Sequence, residues 1–374
     1  MSAPMRIAFI GTRGVPARYG GFETCAEEIG RRLAARGHDI TVYARSRFYP
    51  MPNVEWGGMR VVSLPAVRIK AFETLSHTAR SLADAARREF DVQLVFNGAN
   101  SPLLKLKRFR RTPTVLHADG LEWKRGKWGR LGRTYQRWAE RITARHDGPV
   151  IADSAEIGKY YLEKYGRETV LISYGADVRA SSRPELLEPF GLRPDSYVLQ
   201  ITRFEPENNP ALTVAAFESW PADKKLVLVG GASYSSRYAR RIAEAGDPRV
   251  VRPGFIYDKD ILRELLTNAW AYIHGNEVGG TNPALLEAMA AGCFVVARDV
   301  PFNREVLGEA GIYFRKDPAD LREKLDWALA HPAERAAGRA ASAAIIRARY
   351  DWDRVVDAYE ALFRGLAAGA AASS

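Results

Sequence analysis

The chain has 374 residues, of which 47% are hydrophobic, enough for two domains with ordinary cores. Residues 1–10 lack the charged and then apolar pattern of a secretion signal, and no apolar run is long enough to cross a bilayer. We therefore expect a cytoplasmic protein that is at most peripheral, at the inner face of the cell membrane. Cys25 and Cys293 have neither metal-ligand nor redox spacing, so we expect no disulfide.

The net charge of +11 is distributed unevenly along the chain. Residues 1–180 contain 31 Lys and Arg against 18 Asp and Glu, whereas residues 181–374 contain 24 against 26. A basic half is typical of a protein with an acidic partner, such as an anionic membrane surface or a nucleic acid.

Short β-branched segments alternate with helix-length amphipathic segments, as in parallel βαβ units. The first series of predicted strands is Arg6–Ile10, Ile40–Ala44, Val61–Leu64, Val92–Phe96, Thr114–His117, Val150–Ala152 and Val170–Ile172. The second is Tyr197–Ile201, Leu226–Val229, Val250–Arg252, Ala271–Ile273, Phe294–Ala297 and Ile312–Phe314. The two series predict an α/β fold with two Rossmann-like, doubly wound parallel-sheet domains, at residues 1–180 and 196–350.

The prolines of residues 181–195 predict a linker between these domains. An amphipathic helix at 351–366 is expected to pack back toward the first domain. The Gly/Ala/Ser-rich residues 367–374 are predicted to form a disordered tail.

A glycine-rich segment, residues 11–23, follows the first predicted strand and leads into a helix. Glycines at such a turn let backbone N–H groups approach a phosphate or a sugar, and the helix start adds positive charge. Gly20 and Gly21 are therefore candidates for donor binding, and Arg13 and Arg18 for phosphate binding. A tight structural turn is the alternative interpretation.

The segment only imitates a dinucleotide fingerprint, because the second predicted strand ends in Ala44-Arg45. NAD binding requires an acidic residue there, which disfavours a dehydrogenase. Arg45 leaves an NADP-dependent oxidoreductase as a poorer alternative.

Six stretches resemble, in the same order, the bacterial retaining glycosyltransferases of family 4, and particularly their rhamnosyltransferase-like subgroup of capsule and cell-wall polysaccharide synthesis. They are Ile10–Glu23, Asp119–Arg125, Ile151–Ser154, Tyr174–Asp177, Arg203–Asn209 and Val278–Ala290. The resemblance implies the GT-B fold, in which two Rossmann-like domains face each other across a cleft. It also implies transfer of a sugar from a nucleotide diphosphate carrier.

The segment HADGLEWKR, residues 117–125, follows the fifth predicted strand. The resemblance places Asp119 opposite the anomeric carbon of the donor, where it would orient and stabilise rather than attack. In such enzymes the leaving phosphate takes the proton of the acceptor. His117 is a secondary catalytic candidate, and a satisfied structural histidine is the alternative.

Two basic stretches containing aromatic residues account for the charge of the first half. Their candidate contact residues are Lys105, Lys107, Arg108, Arg110, Arg111, Trp123, Lys124, Arg125 and Trp128. Tryptophan beside cations favours the headgroup region of an anionic leaflet. Nucleic-acid binding and a solvated basic helix are the alternatives. Because the stretches flank Asp119, we expect a polyprenyl-pyrophosphate-linked saccharide as acceptor and no nucleic acid.

The segment from His274 to Gly292 predicts a loop followed by a helix, with Asn282 as N-cap and Gly292 at the end. The N–H groups of Gly280, Thr281 and Asn282, at the start of the helix, are expected to bind the donor diphosphate. Glu287, just over one turn into the helix, is expected to accept hydrogen bonds from the ribose. An ordinary capped helix is the alternative.

The resemblance implies two glutamates in this segment, one for the donor sugar and one for the ribose. Glu287 matches the second, but Gly279 occupies the position of the first. Gly279 and Glu277, which lies two residues earlier, are also candidates for donor binding. Backbone amides are then left to hold the donor sugar, which fits a deoxy sugar.

The resemblance also implies an arginine, and a lysine five residues later, that neutralise the diphosphate. Arg203 matches the arginine, whereas the lysine position is Asn208. Residues 254–257, with Ile256, resemble the turn whose backbone reads the nucleobase.

We expect a retaining hexosyltransferase that uses dTDP-L-rhamnose, with UDP- or GDP-sugars as alternative donors. No cofactor and no metal are expected, because the six histidines form no ligand spacing. The Asp-x-Asp pair at 351–353 starts the terminal helix.

Overall fold

The computed structural model describes residues 3–18, 20–51, 54–106, 112–118, 120–126, 128–232, 237–244 and 246–371. The chain divides into two compact units. The N-terminal unit comprises Met1–Lys124, Trp128–Tyr174 and Trp352–Ser374, and the C-terminal unit comprises Arg125–Lys127 and Gly175–Asp351. The main division thus follows Tyr174 rather than residue 180.

The strands follow the predicted series closely. In the N-terminal unit they are β1 (Arg6–Ile10), β2 (Asp39–Arg45), β3 (Val54–Trp56), β4 (Met59–Leu64), β5 (Val92–Phe96), β6 (Thr114–His117), β7 (Val150–Ala152) and β8 (Val170–Leu171). In the C-terminal unit they are β9 (Tyr197–Arg203), β10 (Lys225–Gly231), β11 (Val250–Gly254), β12 (Ala271–His274), β13 (Val295–Arg298) and β14 (Gly311–Phe314).

Helices separate most successive strands, as βαβ connections require, whereas β2, β3 and β4 follow one another without a helix. They are α1 (Gly21–Ala35), α2 (Lys70–Ala85), α3 (Arg130–Ala144), α4 (Ala155–Tyr165), α5 (Pro210–Glu218), α6 (Arg237–Ala243), α7 (Lys259–Thr267), α8 (Pro283–Ala290), α9 (Pro301–Leu307), α10 (Pro318–Ala330), α11 (Pro332–Arg349) and α12 (Trp352–Ala371). Short 3₁₀ helices occur at Gly98–Lys105, Glu122–Lys124, Pro184–Phe190 and Pro206–Asn208. Among the described residues, none of the helices has the length and apolar content needed to cross a membrane.

The N-terminal sheet has the strand order β3-β4-β2-β1-β5-β6-β7-β8, and the C-terminal sheet the order β11-β10-β9-β12-β13-β14. Every pairing in them is parallel except β3 with β4. The prediction of two doubly wound parallel-sheet domains is confirmed. Sequence reasoning missed β3, because three residues before the Gly57-Gly58 turn carry little periodicity.

Each unit has its own apolar core. The C-terminal core surrounds Trp220, Trp270 and Phe294, and the N-terminal one includes Ile10, Tyr43 and Leu116 on neighbouring strands. Parallel strands buried on both faces require such continuous apolar segments.

The terminal helix α12 belongs to the N-terminal unit, where it packs on α1. Arg36 pairs with Asp357 at 2.7 Å and with Glu360 at 2.8 Å. The Nε2 atom of His38 lies 3.3 Å from Glu360. The helix continues to Ala371, beyond the predicted end at residue 366, and so includes residues predicted as a disordered tail; residues 372–374 lie outside the described part.

Candidate functional site

Each unit contains a glycine-rich loop that leads from a strand into a helix. We call residues 11–18, Gly20 and the first turn of α1 the N-terminal junction. Residues 275–282 and the first turn of α8 are called the C-terminal junction.

The glycines of the N-terminal junction allow close packing on neighbouring strands. Gly11 has φ +99°, and a Cβ there would lie 2.4 Å from the carbonyl oxygen of Phe96. Gly14 has φ +123°, and its Cβ would lie 2.4 Å from that of Ala44. Both positions thus require glycine for steric reasons before any ligand is considered.

Two buried carboxylates of α1 hold this loop. The backbone N–H of Arg13 donates to Glu23 Oε1 at 2.8 Å, and that of Ala17 donates to Glu27 Oε2. Because Glu23 lies in the first turn, its negative charge already occupies the positive end of α1. Two amides of the junction are therefore already bound, and the carboxylate of Glu23 makes the start of this helix poorly suited to a phosphate.

The two arginines predicted for phosphate binding lie at the rim of this loop. The guanidinium of half-buried Arg13 stacks on Phe48 at 5.0 Å, and that of exposed Arg18 lies 5.9 Å from the Tyr49 ring. Gly20 precedes α1 in an extended conformation and provides no side-chain cap, and Gly21 is the first helical residue.

His117 ends β6 and is fully buried among aromatic rings. Its ring lies between Phe96 and Tyr174, at 5.6 and 5.9 Å, and Phe22 of α1 approaches at 5.2 Å. Nδ1 donates to the carbonyl oxygen of Ala118 at 2.9 Å, so Nε2 carries a lone pair.

Burial lowers the pKa of His117 to about 4, and the ring is neutral at physiological pH. Nε2 is buried and has no hydrogen-bond partner among the described residues. Buried acceptors without a partner are uncommon in folded proteins, so Nε2 stays a candidate for contact with a ligand. Asp119, the other catalytic candidate, lies outside the described residues.

The tryptophans of the second basic stretch are fixed by hydrogen bonds within the N-terminal unit. Trp123 Nε1 donates to Glu140 Oε2 at 3.1 Å, and Trp128 Nε1 donates to Glu122 Oε2 at 3.0 Å. Lys124 is exposed beside the Trp123 ring, at 5.5 Å. These contacts leave less indole surface for a membrane than the sequence suggested.

The other basic residues predicted to contact the membrane or the acceptor do not form one group among the described residues. Exposed Lys105 donates to the carbonyl oxygen of Arg145 at 3.3 Å. Arg125 groups with the C-terminal unit. The other four candidates, Lys107, Arg108, Arg110 and Arg111, lie outside the described residues.

The C-terminal junction has the predicted cap. Asn282 Oδ1 accepts a hydrogen bond from the N–H of Ala284 at 3.0 Å, and Pro283 occupies the first helical position. Gly292, with φ +77°, follows the end of α8. The first turn of α8 contains no acidic residue, so the positive end of this helix is not compensated from within.

The loop before α8 presents glycine where the resemblance implies a glutamate. Gly279 has φ +149°, a conformation that side-chain-bearing residues rarely adopt. Gly280 is half-buried, Thr281 is buried, and Glu287 is exposed one turn into the helix. The backbone thus explains why a carboxylate is missing at position 279.

Glu277 anchors the same loop. Its Oε1 accepts from Arg298 Nε at 2.9 Å and its Oε2 from Lys316 Nζ at 2.7 Å. Burial alone would raise the pKa of the Glu277 carboxyl, but the hydrogen bonds from Lys316 and Arg298 outweigh it and hold that pKa below its ordinary value. Both oxygens are therefore engaged in ion pairs. Arg298 and Lys316 were missed by sequence reasoning, since they are distant in the chain.

Arg203 ends β9 and is joined to Asn208 by the following turn. Asn208 Nδ2 donates to the carbonyl oxygen of Arg203 at 3.1 Å, and the guanidinium lies 3.8 Å from Glu205. A Cβ at Gly275 would lie 2.4 Å from the carbonyl oxygen of Asn208. The turn therefore packs directly on the start of the C-terminal junction and brings Arg203 and Asn208 beside it.

Two further features lie at this end of the C-terminal sheet. Half-buried Ile256 follows Gly254, whose φ is +77°, between the exposed rings of Phe255 and Tyr257, which stack at 6.1 Å. His274 ends β12, and burial lowers its pKa to about 3. Its Nε2 has no partner in the described structure. Sequence reasoning did not select His274, although its position just before the loop was the available signal.

A search of the described residues finds no group of three or more His, Cys, Asp or Glu side chains able to hold a metal ion.

The chain matches two family models, one on each half. Residues 20–175 match the model "Glycosyl transferase 4-like domain", and residues 183–344 match "Glycosyl transferases group 1". A comparison with curated protein sequences gives no match.

Solved structures resemble the whole chain. A sucrose-phosphate synthase from Thermosynechococcus elongatus is 19% identical with a TM-score of 0.83, covering 98% of this chain and 100% of its own. The Anabaena protein HepE, in complex with UDP and glucose, is 19% identical with a TM-score of 0.79, covering 96% and 100%. An α,α-trehalose 6-phosphate synthase from Burkholderia multivorans is 13% identical with a TM-score of 0.73, covering 99% and 98%. At these identities the likeness establishes the fold.

Proposed function

Because the chain is a glycosyltransferase with the GT-B fold, we propose that it transfers L-rhamnose from dTDP-L-rhamnose, with retention, onto a polyprenyl-pyrophosphate-linked saccharide in surface polysaccharide synthesis. The donor assignment rests on one observation, that the C-terminal junction joins a glycine loop to a helix whose first turn has no acidic residue. The glycine loop and uncompensated helix start of this junction offer backbone N–H groups and positive charge to a diphosphate.

Arg203 supplies the second positive element of the proposed donor site. As the glycosidic bond breaks, negative charge accumulates on the leaving diphosphate, and a guanidinium beside it lowers the barrier. With Asn208 in place of a lysine, Arg203 and the start of α8 carry this role together. Glu287 accepts hydrogen bonds from the ribose hydroxyls, and the backbone at Ile256 contacts the base.

The choice of a deoxy sugar rests on Gly279 and Glu277. Gly279 has no side chain to orient sugar hydroxyls, and the Glu277 carboxylate is engaged by Arg298 and Lys316. A sugar with fewer polar groups loses least at such a site, because backbone amides suffice to hold it. In the proposed reaction Asp119 and His117 orient the sugar, and the leaving phosphate takes the proton of the acceptor hydroxyl.

UDP-sugars are the alternative donors, with GDP-sugars after them. Three structures of HepE that resemble this chain are complexes with UDP and glucose, with UDP, and with UDP-glucose. This favours UDP as the second nucleotide to test.

Thermal unfolding with a panel of dTDP-L-rhamnose, UDP-glucose and GDP-mannose tests the donor. A ligand at 100 times its Kd stabilises the folded state by about 2.7 kcal/mol, a clear shift in melting temperature. We expect the largest shift with dTDP-L-rhamnose, and a smaller one in Arg203→Ala. A larger shift with UDP-glucose than with dTDP-L-rhamnose would replace the donor assignment.

We assign the acceptor to the N-terminal unit and to an anionic membrane surface. The outer face of α3 supports this assignment, because Leu131 and Trp138 are 89% and 49% exposed there. Four arginines of the same helix are also exposed: Arg130, Arg133, Arg137 and Arg141. Glu140, the acidic residue of this helix, is buried and paired with Lys164 at 2.9 Å. A face of this composition is typical of a helix that lies at a bilayer surface.

Sedimentation with vesicles tests this assignment. We expect binding to vesicles with anionic lipid and not to neutral ones, with release as salt rises, since attraction between exposed charges decays over roughly 10 Å at 0.1 M salt. Replacing Lys105, Lys107, Arg108, Arg110 and Arg111 by Gln is expected to weaken binding and to spare transfer to a short soluble acceptor. Unchanged vesicle binding by that variant would show that the basic stretch does not contact the membrane.

A further inference from the structure

Four large apolar side chains are exposed on the N-terminal unit and are not explained by its core. We call them the apolar edge: Met51, Val67, Ile69 and Phe72, exposed by 64%, 40%, 57% and 57%. Met51 follows β2, and the other three follow β4. Because β2 and β4 are parallel neighbours, with Arg45 paired to Leu64, these segments leave the sheet at the same end. The N–H of Ser46 donates to the carbonyl oxygen of Leu64 at 3.0 Å and joins them directly.

The segment that carries three of these side chains has a defined structure. The N–H of Val67 donates to Ser76 Oγ at 2.9 Å, and the N–H of Phe72 donates to the carbonyl oxygen of Ile69 at 2.9 Å. Arg80 Nη1 donates to the carbonyl oxygen of Pro65 at 2.7 Å. The apolar side chains are therefore presented outward by an ordered turn.

Ile69 occupies the N-cap position of α2, where a polar side chain usually stabilises the helix. It provides no side-chain hydrogen bond to the first turn. Ser, Thr, Asp or Asn at this position commonly adds about 1 kcal/mol of stability. The chain instead exposes an isoleucine side chain, which neither caps the helix nor packs in the core and is suited to an apolar partner.

The charges beside the apolar edge identify that partner. Arg47 and Arg68 are exposed next to it, and Arg47 lies 5.7 Å from the Phe48 ring. The neighbouring acid, Glu73, is 13% exposed and lies 3.5 Å from buried Arg45. Apolar side chains flanked by arginines complement a leaflet with anionic headgroups, in which the apolar groups enter the acyl boundary and the cations remain at the phosphates.

The apolar edge adjoins the N-terminal junction. The N–H of Arg45 donates to the carbonyl oxygen of Arg13 at 2.9 Å, and the Tyr49 hydroxyl donates to that of Gly14 at 3.3 Å. A membrane at this edge would therefore lie beside the loop that precedes α1, on the unit assigned to the acceptor.

We propose that the apolar edge inserts into an anionic lipid leaflet and so presents a lipid-linked acceptor to the N-terminal junction. The inference rests on the proposed function for the acceptor but not for the donor. Binding through the apolar edge differs from binding through the basic stretch in one measurable respect. Insertion of apolar groups persists at a salt concentration that screens exposed charges.

A fluorescent label at Ile69→Cys tests the insertion. Cys25 and Cys293 are both fully buried, so a thiol-reactive, environment-sensitive fluorophore is directed to residue 69. Leu329→Cys, at a 49% exposed position of the C-terminal unit, is the matched control. With vesicles of phosphatidylglycerol and phosphatidylcholine at about 0.5 M salt, we expect a blue shift at residue 69 and none at residue 329.

A triple variant, Val67→Ser with Ile69→Ser and Phe72→Ser, measures how much the edge contributes. We expect at least about a tenfold loss of vesicle binding at the same salt, with transfer to a soluble acceptor within about twofold of wild type. An unshifted label or an unchanged bound fraction would overturn the proposal. A shift that depends on protein concentration without vesicles would also overturn it, because the edge would then contact protein. Donor-dependent stabilisation is measured on the same variants without vesicles, so failure of the edge is distinguishable from failure of the donor assignment.

Discussion

The two junctions share a sequence signature and differ in chemistry. Both place glycines between a parallel strand and a helix, yet Glu23 and Glu27 fill the N-terminal one while the first turn of α8 has no acid. The N–H groups of Arg13 and Ala17 are bound by carboxylates of α1 and are therefore unavailable to a phosphate. The first turn of α8 has no acidic residue, so no carboxylate of that turn offsets the positive end of the helix. A glycine-rich loop therefore predicts an anion site only when its own helix does not supply the anion.

Acidification is expected to have the largest effect, and it acts through one buried histidine in each unit, His117 and His274. The pKa values of His117 and His274 fall to about 4 and about 3 in the folded chain, from about 6.5 in the unfolded chain. The unfolded state binds more protons below pH 6.5, so stability is full above that pH and is lost as pH falls. Each histidine contributes a loss of about 3 kcal/mol near pH 4.

Guanidinium unfolding at about pH 7 and pH 4.5 measures this loss. His117→Gln and His274→Gln are each expected to flatten the pH dependence, and Lys324→Gln, at a partly exposed position of α10, is the control. A pH dependence unchanged in both histidine variants would show that these rings are not the buried neutral groups.

Removing the Glu23 carboxylate from the N-terminal junction tests the comparison of the two junctions through the stability of the fold. Glu23→Ala leaves the N–H of Arg13 without its acceptor in a buried loop, and we expect a loss of about 2 kcal/mol, seen as a lower melting temperature. Glu287→Ala, at an exposed position, is expected to change the melting temperature little. Equal destabilisation by the two variants would contradict the difference between the junctions.

Substitutions at the proposed donor site test the comparison of the two junctions through the rate of turnover. We expect Arg203→Ala and Glu287→Ala each to lower turnover by at least about tenfold, or about 1.4 kcal/mol, at an unchanged melting temperature. Arg304→Ala, an exposed arginine paired with Asp299 at 2.6 Å, is the control and is expected to retain wild-type kinetics. Wild-type kinetics in Arg203→Ala or Glu287→Ala would remove that residue from the donor site.

Chelation is expected to have the smallest effect. If the diphosphate is neutralised by Arg203 and the start of α8, EDTA leaves the initial rate of transfer unchanged. A rate that EDTA abolishes and Mg²⁺ restores would show that a cation carries part of this role.

Local features were predictable from the sequence because they depend on neighbouring residues. The alternation of β-branched and amphipathic segments predicted two parallel sheets, since period and length are properties of a few consecutive residues. The cap of α8 followed from Asn282 and Pro283 in the same way, because the bond to the N–H of Ala284 spans two residues. Arg203 and Asn208 came together for a similar reason, across one short turn.

The roles of individual side chains depended on contacts that sequence spacing does not encode. Glu277 was predicted to bind the donor, but Arg298 and Lys316, 21 and 39 residues away, hold its carboxylate. The N-terminal junction was predicted to offer its amides to a ligand, but Glu27, ten residues from Ala17, faces back into the loop. Pattern and propensity act within a turn or a strand, whereas the partner of a carboxylate is whichever cation or amide the tertiary fold brings within about 3 Å. The sequence therefore determined the two sheets and their loops, and only packing decided which loop amides are bound by carboxylates of their own helix.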